Sequence, residues 1–452
     1  MLPTPVDDFV RAYAEKDAIR AHMPGHKGEG GRGERWDITE IDGADSLYEA
    51  RGIIGESEEI ASRLFGSGIT VYSAEGSSLS IRTMLLLALH RVPRTGARPW
   101  LLAGRNAHRT LLSAAALLDF DIHWLYPRTG ALLSGQIETA ALRAALKGAE
   151  EKPFAVYLTS PDYLGGMADV RAAAGICREY GVQLLVDNAH GAYLRFLPSS
   201  LHPMDMGADM CADSAHKTLP VLTGGGYLHM SAECRDVSRA DVKAAMSLFA
   251  STSPSYLILA SLDRCNRLLE QDFPARLAAF VQRADALKRR LADAGAALAG
   301  DEPLKLTFRA TESADGHVIK ALLHTRGIEC EMADPDFVTL MLAPPLMDRM
   351  GGIESTLVDA LRQWAGRPLR VPPRLPPSGG QVMTVREAMF APQETLPLAR
   401  CEGRILAADT TGCPPAVPLA VCGERLTGET LALCGYYGAK TLRVVRESNH
   451  DF

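Results

Sequence analysis

The segment DSAHKTLPVLTGGGYLHM (213–230) decides the fold prediction. It connects two short apolar runs, DMCADS (209–214) and GGYLHM (225–230), through a turn that contains Lys217, Pro220 and three glycines. Short apolar runs bounded by turn residues are typical of buried strands. By default a lysine is a solvated surface charge. A lysine directly after a buried strand, however, can lose solvent and become the amine that bonds to a carbonyl group.

Three further apolar runs precede this segment: PWLLAG (99–104), FAVYLTS (154–160) and VQLLVD (182–187). Stretches with helical spacing, such as AAAGICREYG (172–181), separate them. This alternation predicts an α/β fold with a mostly parallel sheet covered by helices on both faces. Ligands of such sheets bind beyond the carboxyl ends of the strands.

Asp187 ends the third of these runs and is followed by NAHGAY. It either caps the next segment or pairs with a cationic group of a ligand, because a buried carboxylate needs a partner. His190 offers a flat ring close by in the chain. A metal site at Asp187 and His190 is the weaker interpretation, since no further ligands lie at suitable spacing.

The segment YSAEGSSLSIRTMLLLALH (72–90) runs from a small polar turn into an apolar helix. Gly76, Ser77 and Ser78 are expected at the helix N-terminus, where free backbone N–H groups and the helix dipole favour an anion such as phosphate. A plain serine N-cap is the commoner reason for such serines. His108 follows PWLLAG, and a lone histidine there is more often structural than functional.

Together these residues place a phosphate-binding helix start, an aspartate, a flat ring and a lysine at successive strand ends. Pyridoxal 5'-phosphate (PLP) requires this set: its phosphate binds at a helix N-terminus, its pyridine nitrogen meets an aspartate, a ring stacks on it, and a lysine bonds to its aldehyde. The pattern therefore predicts a PLP-binding α/β domain.

Composition excludes several other classes. The chain has 452 residues, a formal net charge of −6 and a pI near 6.1, so neither nucleic acid nor an acidic membrane is an expected partner. The N-terminus does not have the pattern of a signal peptide, and the longest apolar runs are too short to span a bilayer. Nine scattered cysteines without CxxC spacing predict reduced thiols in a cytoplasmic protein with no metal site.

Composition shifts along the chain divide it into five segments. We expect an N-terminal arm (1–45), a PLP-binding large domain (46–275), a small α/β domain (276–366), a Pro-rich linker (367–380) and a compact C-terminal domain (381–452). A long helical stretch (256–299), interrupted at Pro274, leads into the small domain. Within the last segment, VPLAVC (417–422) and TLRVVRE (441–447) are predicted to be strands.

The chain resembles the large bacterial ornithine/lysine/arginine decarboxylases, in the short form without an N-terminal wing domain. The resemblance rests on seven motifs in order, and is fainter at GCPPAVPLAVCGERLT (412–427): RAHMPGHKG (20–28), DITEIDGADSLYEARGII (37–54), RNAHRT (105–110), LTSPDYLGG (158–166), VDNAHGAY (186–193), SAHKTLPVLTGG (214–225) and STSPSYLILASLD (251–263). It implies a fold type I PLP enzyme that forms a homodimer or larger oligomer and makes amines of the kind used in polyamine biosynthesis.

Specific roles follow from the resemblance. Lys217 would hold the cofactor covalently, Asp187 would meet the pyridine nitrogen, and His108 would stack on the cofactor, with Ala189 and His190 on the other side. Ser77, Ser78, Ser214 and His216 would hold the phosphate or lie beside it. The segment around Thr252 would reach a neighbouring subunit's site.

Several positions differ from the usual family motifs. This chain has Glu75 in place of an asparagine, Asp162 in place of a threonine, Asn188 in place of a glutamate, and Gly224 in place of a glutamine. Tyr193 and the CPPAVP segment (413–418) also differ. The chain retains the residues that the resemblance assigns to cofactor binding. The substrate assignment is open, because Glu75 and Asp162 would add negative charge near the site.

The implied reaction is decarboxylation of arginine, lysine or ornithine, with His216 or Lys217 returning a proton to Cα. Acidic residues that could meet the distal cation of the substrate are Asp37, Glu40, Asp42, Asp45 and Glu49. An aminotransferase or lyase on the same fold is one alternative, and Arg309 is then the candidate clamp for the substrate carboxylate. A catalytically silent homologue is another, although Lys217 and Asp187 argue against it.

Overall fold

The computed structural model describes residues 2–16, 18–93, 96–127, 132–133, 137–409 and 416–447. They fall into two compact units. Unit 1 comprises residues 1–95, 154–160 and 169–278, and unit 2 comprises residues 96–153, 161–168 and 279–452. The five segments expected from composition stay a prediction. Cys413 and the start of the segment compared at 412–427 lie outside the described residues.

Unit 1 holds five strands of the large sheet and the helices around them. The strands are β1 (Ile69–Ser73), β4 (Ala155–Thr159), β5 (Gln183–Asp187), β6 (Met210–Asp213) and β7 (Gly226–Met230). The helices are α1 (Pro5–Glu15), α2 (Ile53–Phe65), α3 (Gly76–His90), α6 (Val170–Tyr180), α7 (Pro203–Met206), α8 (Ala215–Thr218), α9 (Arg239–Ser247) and α10 (Tyr256–Glu270). Two 3₁₀ helices cover Glu34–Trp36 and Ala192–Phe196.

The five strands lie in the order β1-β7-β6-β5-β4. β4, β5 and β6 run parallel, whereas β7 runs antiparallel to both β6 and β1. The parallel strands are almost wholly buried, and α3 packs against β6 and β7. Strands covered on both faces read as continuous apolar runs, which explains why the sequence located four of these five. β1, with its polar Thr70 and Ser73, was not located.

Unit 2 contains the remaining strands. β2 (Trp100–Gly104) and β3 (Asp121–Leu125) pair in parallel. The other strands are β8 (Leu298–Ala299), β9 (Lys305–Arg309), β10 (Met332–Ala333), β11 (Phe337–Met341), β12 (Gln393–Pro397) and β13 (Thr441–Val445). Four of them form an antiparallel sheet in the order β10-β11-β9-β8, and β12 pairs with β13.

The helices of unit 2 are α4 (Thr110–Leu118), α5 (Thr139–Gly148), α12 (Gly316–Thr325), α13 (Met350–Leu361), α14 (Val385–Phe390) and α15 (Gly428–Tyr436), with 3₁₀ turns at Pro344–Arg349, Arg362–Trp364 and Leu398–Arg400. Helix α11 (Phe273–Asp293) contains the boundary between the units. The predicted break in the long helical stretch falls at Gln271 and Asp272, so that Pro274 lies in the first turn of α11, where a missing N–H costs nothing.

The prediction of a strand at 417–422 is wrong: no strand forms there. The buried guanidinium of Arg105 donates to the carbonyl oxygens of Pro418 (2.8 Å) and Leu419 (3.2 Å), and the Glu424 carboxylate accepts from the Val421 N–H (3.0 Å). Side chains therefore satisfy the backbone groups that a neighbouring strand would bind. TLRVVRE does form β13. No helix among the described residues is long and apolar enough to cross a membrane.

Candidate active site

Two adjacent strand ends bring Asp187 and Lys217 to the same edge of the sheet. Asp187 is the last residue of β5 and lies opposite Ala212 of the parallel strand β6. Chain reversal after β6 forms the short helix α8, which carries His216 and Lys217. Burial raises the pKa of the Asp187 carboxyl, and the attraction of Lys217 partly opposes that rise. The positive charge of Lys217 thus favours the ionised form of Asp187.

The Asp187 carboxylate is held from two sides. The Tyr157 hydroxyl on β4 donates to its Oδ2 (3.1 Å), and the Ala189 N–H donates to its Oδ1 (3.2 Å). Both bonds lower the pKa of Asp187 and work against the cost of burial. Asp187 is thus a buried, oriented carboxylate at the edge where the fold binds ligands.

Lys217 and the two histidines form a compact group. Lys217 Nζ lies 3.1 Å from Nε2 of the buried His190. His216 Nδ1 lies 2.9 Å from the carbonyl oxygen of Gly225, an acceptor, so Nδ1 carries the proton and Nε2 is the lone-pair nitrogen. Burial lowers the pKa of His216, and the Lys217 charge lowers it further. His216 is therefore neutral near pH 7.

A second group of polar atoms lies where α3 and α8 begin. Gly76, Ser77 and Ser78 form the first turn of α3, and the Ser214 hydroxyl just before α8 donates to the Ser77 hydroxyl (2.8 Å). Gly76 has φ +67°, a conformation that favours glycine. Backbone N–H groups at a helix start together with two hydroxyls make a binding site for a phosphate group.

The structure describes three more of the predicted residues, each within its own unit. His108 belongs to unit 2, where it follows β2 and its Nδ1 accepts from the Thr110 N–H (3.2 Å) at the start of α4. Thr252 is exposed in the loop before α10. Arg309, the clamp considered for an aminotransferase, lies on β9 in unit 2, and its guanidinium donates to the Arg370 carbonyl (3.3 Å).

The departures from the family motifs have local structural explanations. In unit 2, Asp162 Oδ1 accepts from the N–H groups of Leu164 (3.0 Å) and Gly166 (2.7 Å) and so stabilises a turn. In unit 1, Glu75 Oε1 accepts from the Ser251 N–H (2.8 Å). Both acidic groups are thus engaged with backbone donors.

Gly224 and Asn188 also fit their surroundings. Gly224 has φ +100°, and a Cβ added there would lie 2.9 Å from Ile258 Cδ1 and 3.0 Å from the Ala74 carbonyl oxygen. A larger residue would be strained in this conformation and would require Ile258 and the Ala74 carbonyl to shift. The Asn188 amide donates to Asp213 Oδ1 (2.7 Å).

Among the acidic candidates for substrate recognition, Asp45 already has a structural task. Its carboxylate accepts from the N–H groups of Ser46 (2.8 Å), Gly52 (2.9 Å) and Ile54 (2.9 Å), which caps the start of α2. Asp37 pairs with His26 (3.2 Å), and Glu40 accepts from the Ser46 hydroxyl (2.7 Å). Asp42 and Glu49 are exposed.

Tyr157 was not among the predicted site residues. It lies inside FAVYLTS, where an aromatic residue in an apolar run is indistinguishable from a core residue. Only the register of β4 against β5, which places Thr159 opposite Asp187, brings the Tyr157 hydroxyl to the carboxylate. The only sign of a functional role in the sequence was the hydroxyl group of this tyrosine on a strand predicted to be buried.

The site of unit 1 fits PLP by its donor set. It offers the start of α3 at Ser77, with the Ser214 hydroxyl beside it, a buried carboxylate at Asp187, and an amine at Lys217. Burial raises the pKa of Asp187 despite its two hydrogen bonds, and a ligand cation such as a protonated pyridine nitrogen would oppose that rise.

Comparison with known proteins identifies the family of the chain. A family profile described as the Orn/Lys/Arg decarboxylase major domain matches residues 4–360. The uncharacterized protein YaaO of Bacillus subtilis is 28% identical over 469 residues, covering 95% of this chain and 93% of that protein. The arginine decarboxylase of Bacillus subtilis is 27% identical over 463 residues, covering 95% of this chain and 92% of that protein.

Solved structures show the same fold. The lysine decarboxylase LdcF of Francisella novicida matches with a TM-score of 0.80 at 16% identity, over 98% of this chain and 81% of that one. A serine palmitoyltransferase of Sphingomonas wittichii matches with a TM-score of 0.58 at 14% identity, over 80% and 84%. The α/β fold with its mostly parallel sheet is therefore that of fold type I PLP enzymes, and the chain belongs to the Orn/Lys/Arg decarboxylase family.

Proposed function

We propose that this protein is a PLP-dependent decarboxylase that converts a basic amino acid (arginine, lysine or ornithine) into the corresponding amine and CO2. The observation that carries the proposal is the placement of Asp187 and Lys217 at or just after the ends of two adjacent parallel strands, with Ser214 of the same turn bonded to Ser77 at the start of α3. A carboxylate, an amine and an anion site at one sheet edge are the groups that PLP requires of a protein.

When bound, PLP supplies an electron sink for the electron pair that is left when CO2 departs. Asp187 would meet the pyridine nitrogen and keep it protonated, since an ionised carboxylate in a buried site strongly favours a cation. The hydrogen bonds from Tyr157 and the Ala189 N–H favour the ionised form of Asp187 against the effect of burial and fix its orientation. Ser77 and Ser214 would hold the phosphate group.

Lys217 is the group proposed to return the proton to the substrate Cα. His216 is neutral, and its Nδ1 proton is committed to the Gly225 carbonyl, so its other nitrogen can accept a proton but has none to give. An ammonium group on Lys217 has three N–H donors. His190, 3.1 Å away, accepts one of them and orients the amine. The sequence left both His216 and Lys217 as candidates for returning the proton to Cα, and we propose Lys217.

The names of the relatives support a basic substrate. Relatives named arginine decarboxylase from Bacillus subtilis, Bacillus anthracis and Halalkalibacterium halodurans are 26–27% identical over 95% of this chain. Among the acidic residues of the N-terminal segment, Asp42 and Glu49 are exposed, whereas Asp45 is committed to capping α2. We therefore favour Asp42 and Glu49 over Asp45 as partners of a distal substrate cation.

The test is turnover by the purified, PLP-loaded protein. Arginine, lysine and ornithine are supplied separately, with glutamate as a non-basic control, and released CO2 and amine are measured. We expect one basic amino acid to be decarboxylated, and Lys217→Ala to abolish both turnover and the visible absorbance of protein-bound PLP. Lys320→Ala, which removes an exposed lysine on α12, is the matched control and should leave both unchanged.

Two results would overturn the proposal. Visible PLP absorbance that survives Lys217→Ala unchanged would remove Lys217 from the site. Keto-acid formation without CO2 release would instead assign the protein to aminotransferases. Light scattering on the same sample measures the mass of the assembly, for which we propose a homodimer or larger, with the exposed loop around Thr252 at the subunit interface.

A further inference from the structure

Four side chains that the proposed reaction does not use meet in the interior of unit 1. Cys211 and Asp213 are two residues apart on β6, so their side chains project from the same face of the sheet. His229 on β7 lies directly opposite Cys211 in the antiparallel register. His202, just before α7, completes the group, and all four side chains are fully buried.

The ligand atoms of this group are close enough to share one ion. His202 Nε2 lies 3.0 Å and His229 Nε2 lies 3.3 Å from Asp213 Oδ2, and Cys211 Sγ lies 4.0 Å from Asp213 Oδ1. All four ligand atoms lie within 4.8 Å of one another. A tetrahedral zinc ion with bonds of about 2.0–2.3 Å separates its ligand atoms by about 3.3–3.8 Å. The group therefore requires only small shifts to enclose such an ion.

His229 provides an independent sign of a missing ligand. Its Nε2 is buried and has no aligned hydrogen-bond partner among the described residues, although it points toward the Asp213 carboxylate. Its Nδ1 lies 2.7 Å from the Thr70 hydroxyl, which can accept the ring proton and leave the lone pair on Nε2. A buried nitrogen that lies beside a carboxylate without an aligned hydrogen bond is a position that a cation between the two groups would stabilise.

The groups around the four ligands suit metal binding. The Asn188 amide donates to Asp213 Oδ1 (2.7 Å), as carboxylates bound to metals are commonly supported. His202 Nδ1 accepts a long bond (3.4 Å) from the Met204 N–H. Coordination through Nε2 puts the ring proton on Nδ1 and therefore breaks this bond, which is long and weak.

We propose that His202, Cys211, Asp213 and His229 bind one zinc ion with a structural role. Nitrogen and thiolate donors select zinc over magnesium or calcium, and four protein ligands leave no open position for substrate or water. Binding releases the thiol proton of Cys211. The ion ties the loop before α7 to β6 and β7, and β6 leads directly into Ser214 and Lys217.

The test is metal analysis of the untagged, PLP-loaded protein produced in zinc-supplemented medium. We expect one zinc per chain, and its loss in Cys211→Ala. Cys177→Ala, which removes another buried cysteine on α6 outside the group, is the matched control and should retain the metal. Cobalt exchanged into the wild-type protein should give the absorbance of a tetrahedral ion with a thiolate charge-transfer band.

The cobalt spectrum keeps the proposal testable if Cys211→Ala does not fold, because it needs only the wild-type chain. Absence of zinc together with failure of the wild-type protein to take up cobalt would refute the site. Cobalt bound without a thiolate band, or equal zinc in Cys211→Ala and wild type, would refute the assignment of Cys211 as a ligand.

Discussion

Replacement of Tyr157 by phenylalanine tests how the protein keeps Asp187 ionised. The hydroxyl of Tyr157 is fully buried and donates to Asp187 Oδ2 at 3.1 Å. A hydrogen bond to a charged group contributes about 1.5–3 kcal/mol. A loss of about 2 kcal/mol from the ionised form corresponds to about a 30-fold change in an equilibrium that depends on it. We therefore expect Tyr157→Phe to lower kcat/KM about 30-fold.

The sign of the pH effect follows from the same bond. The hydroxyl favours the carboxylate and so lowers the pKa of Asp187, whereas burial raises that pKa. Without the hydroxyl the pKa rises further, and a larger fraction of Asp187 is protonated at any given pH on the acidic side. We expect the acidic limb of the kcat/KM profile to move to higher pH and PLP to dissociate more readily.

The assay is the pH dependence of decarboxylation, together with PLP affinity followed by visible absorbance. Tyr227→Phe is the control, because Tyr227 is an equally buried tyrosine on β7 that makes no bond to Asp187. Its acidic limb should stay in place. If Tyr157→Phe lowers thermal stability but leaves the acidic limb and PLP affinity unchanged, Tyr157 is a packing residue and the reasoning is refuted.

Two further predictions concern carboxylates outside the site. Burial raises the pKa of Asp263 to about 6, so the folded state favours the neutral carboxyl. Protonation of Asp263 therefore adds to the free energy of unfolding. This stabilisation is complete below about pH 4 and is lost, at a cost of about 3 kcal/mol, as the pH rises through 6. Asp263→Asn should therefore gain thermal stability relative to wild type between pH 4 and pH 7, and a pH-independent difference would contradict this. Asp45→Ala removes the cap of α2 and should lower the free energy of unfolding, measured with urea, by about 1–2 kcal/mol. Asp42→Ala, at an exposed position, is the control and should lower it little. Equal losses in the two variants would argue against the cap.

From the sequence, the strands and the helix that carry the candidate site residues could be predicted better than the side chains that contact those residues. Parallel strands buried on both faces are continuous apolar runs, so the ends of β5 and β6, and with them Asp187 and Lys217, could be located without a structure. The start of α3 at Gly76 followed from its turn residues. These features depend on a few consecutive residues.

Features that depend on register could not be predicted. The contact of Tyr157 with Asp187 requires the alignment of β4 on β5, and the meeting of Cys211 with His229 requires β7 to run antiparallel to β6. The cysteines were interpreted by their spacing in the chain, which contains no information about a ligand supplied by the neighbouring strand. The prediction of a strand at 417–422 was wrong for a related reason. Arg105, which is far away in the chain, donates a hydrogen bond to the Pro418 carbonyl, which a neighbouring strand would otherwise bind.

Asn188 departs from the family motif, and its contact with Asp213 gives this departure a structural reason. The family resemblance places a glutamate at position 188, but here the Asn188 amide donates to Asp213 Oδ1 at 2.7 Å. Burial alone would raise the pKa of Asp213, yet the adjacent His202 and His229 lower it well below its usual range, so that this carboxylate stays ionised. A glutamate at position 188 would bring a second negative charge against it in a buried site, which costs more than an amide that donates. Asn188 is therefore matched to Asp213 on the neighbouring strand, while Asp187, one residue away, keeps its own partners Tyr157 and Ala189.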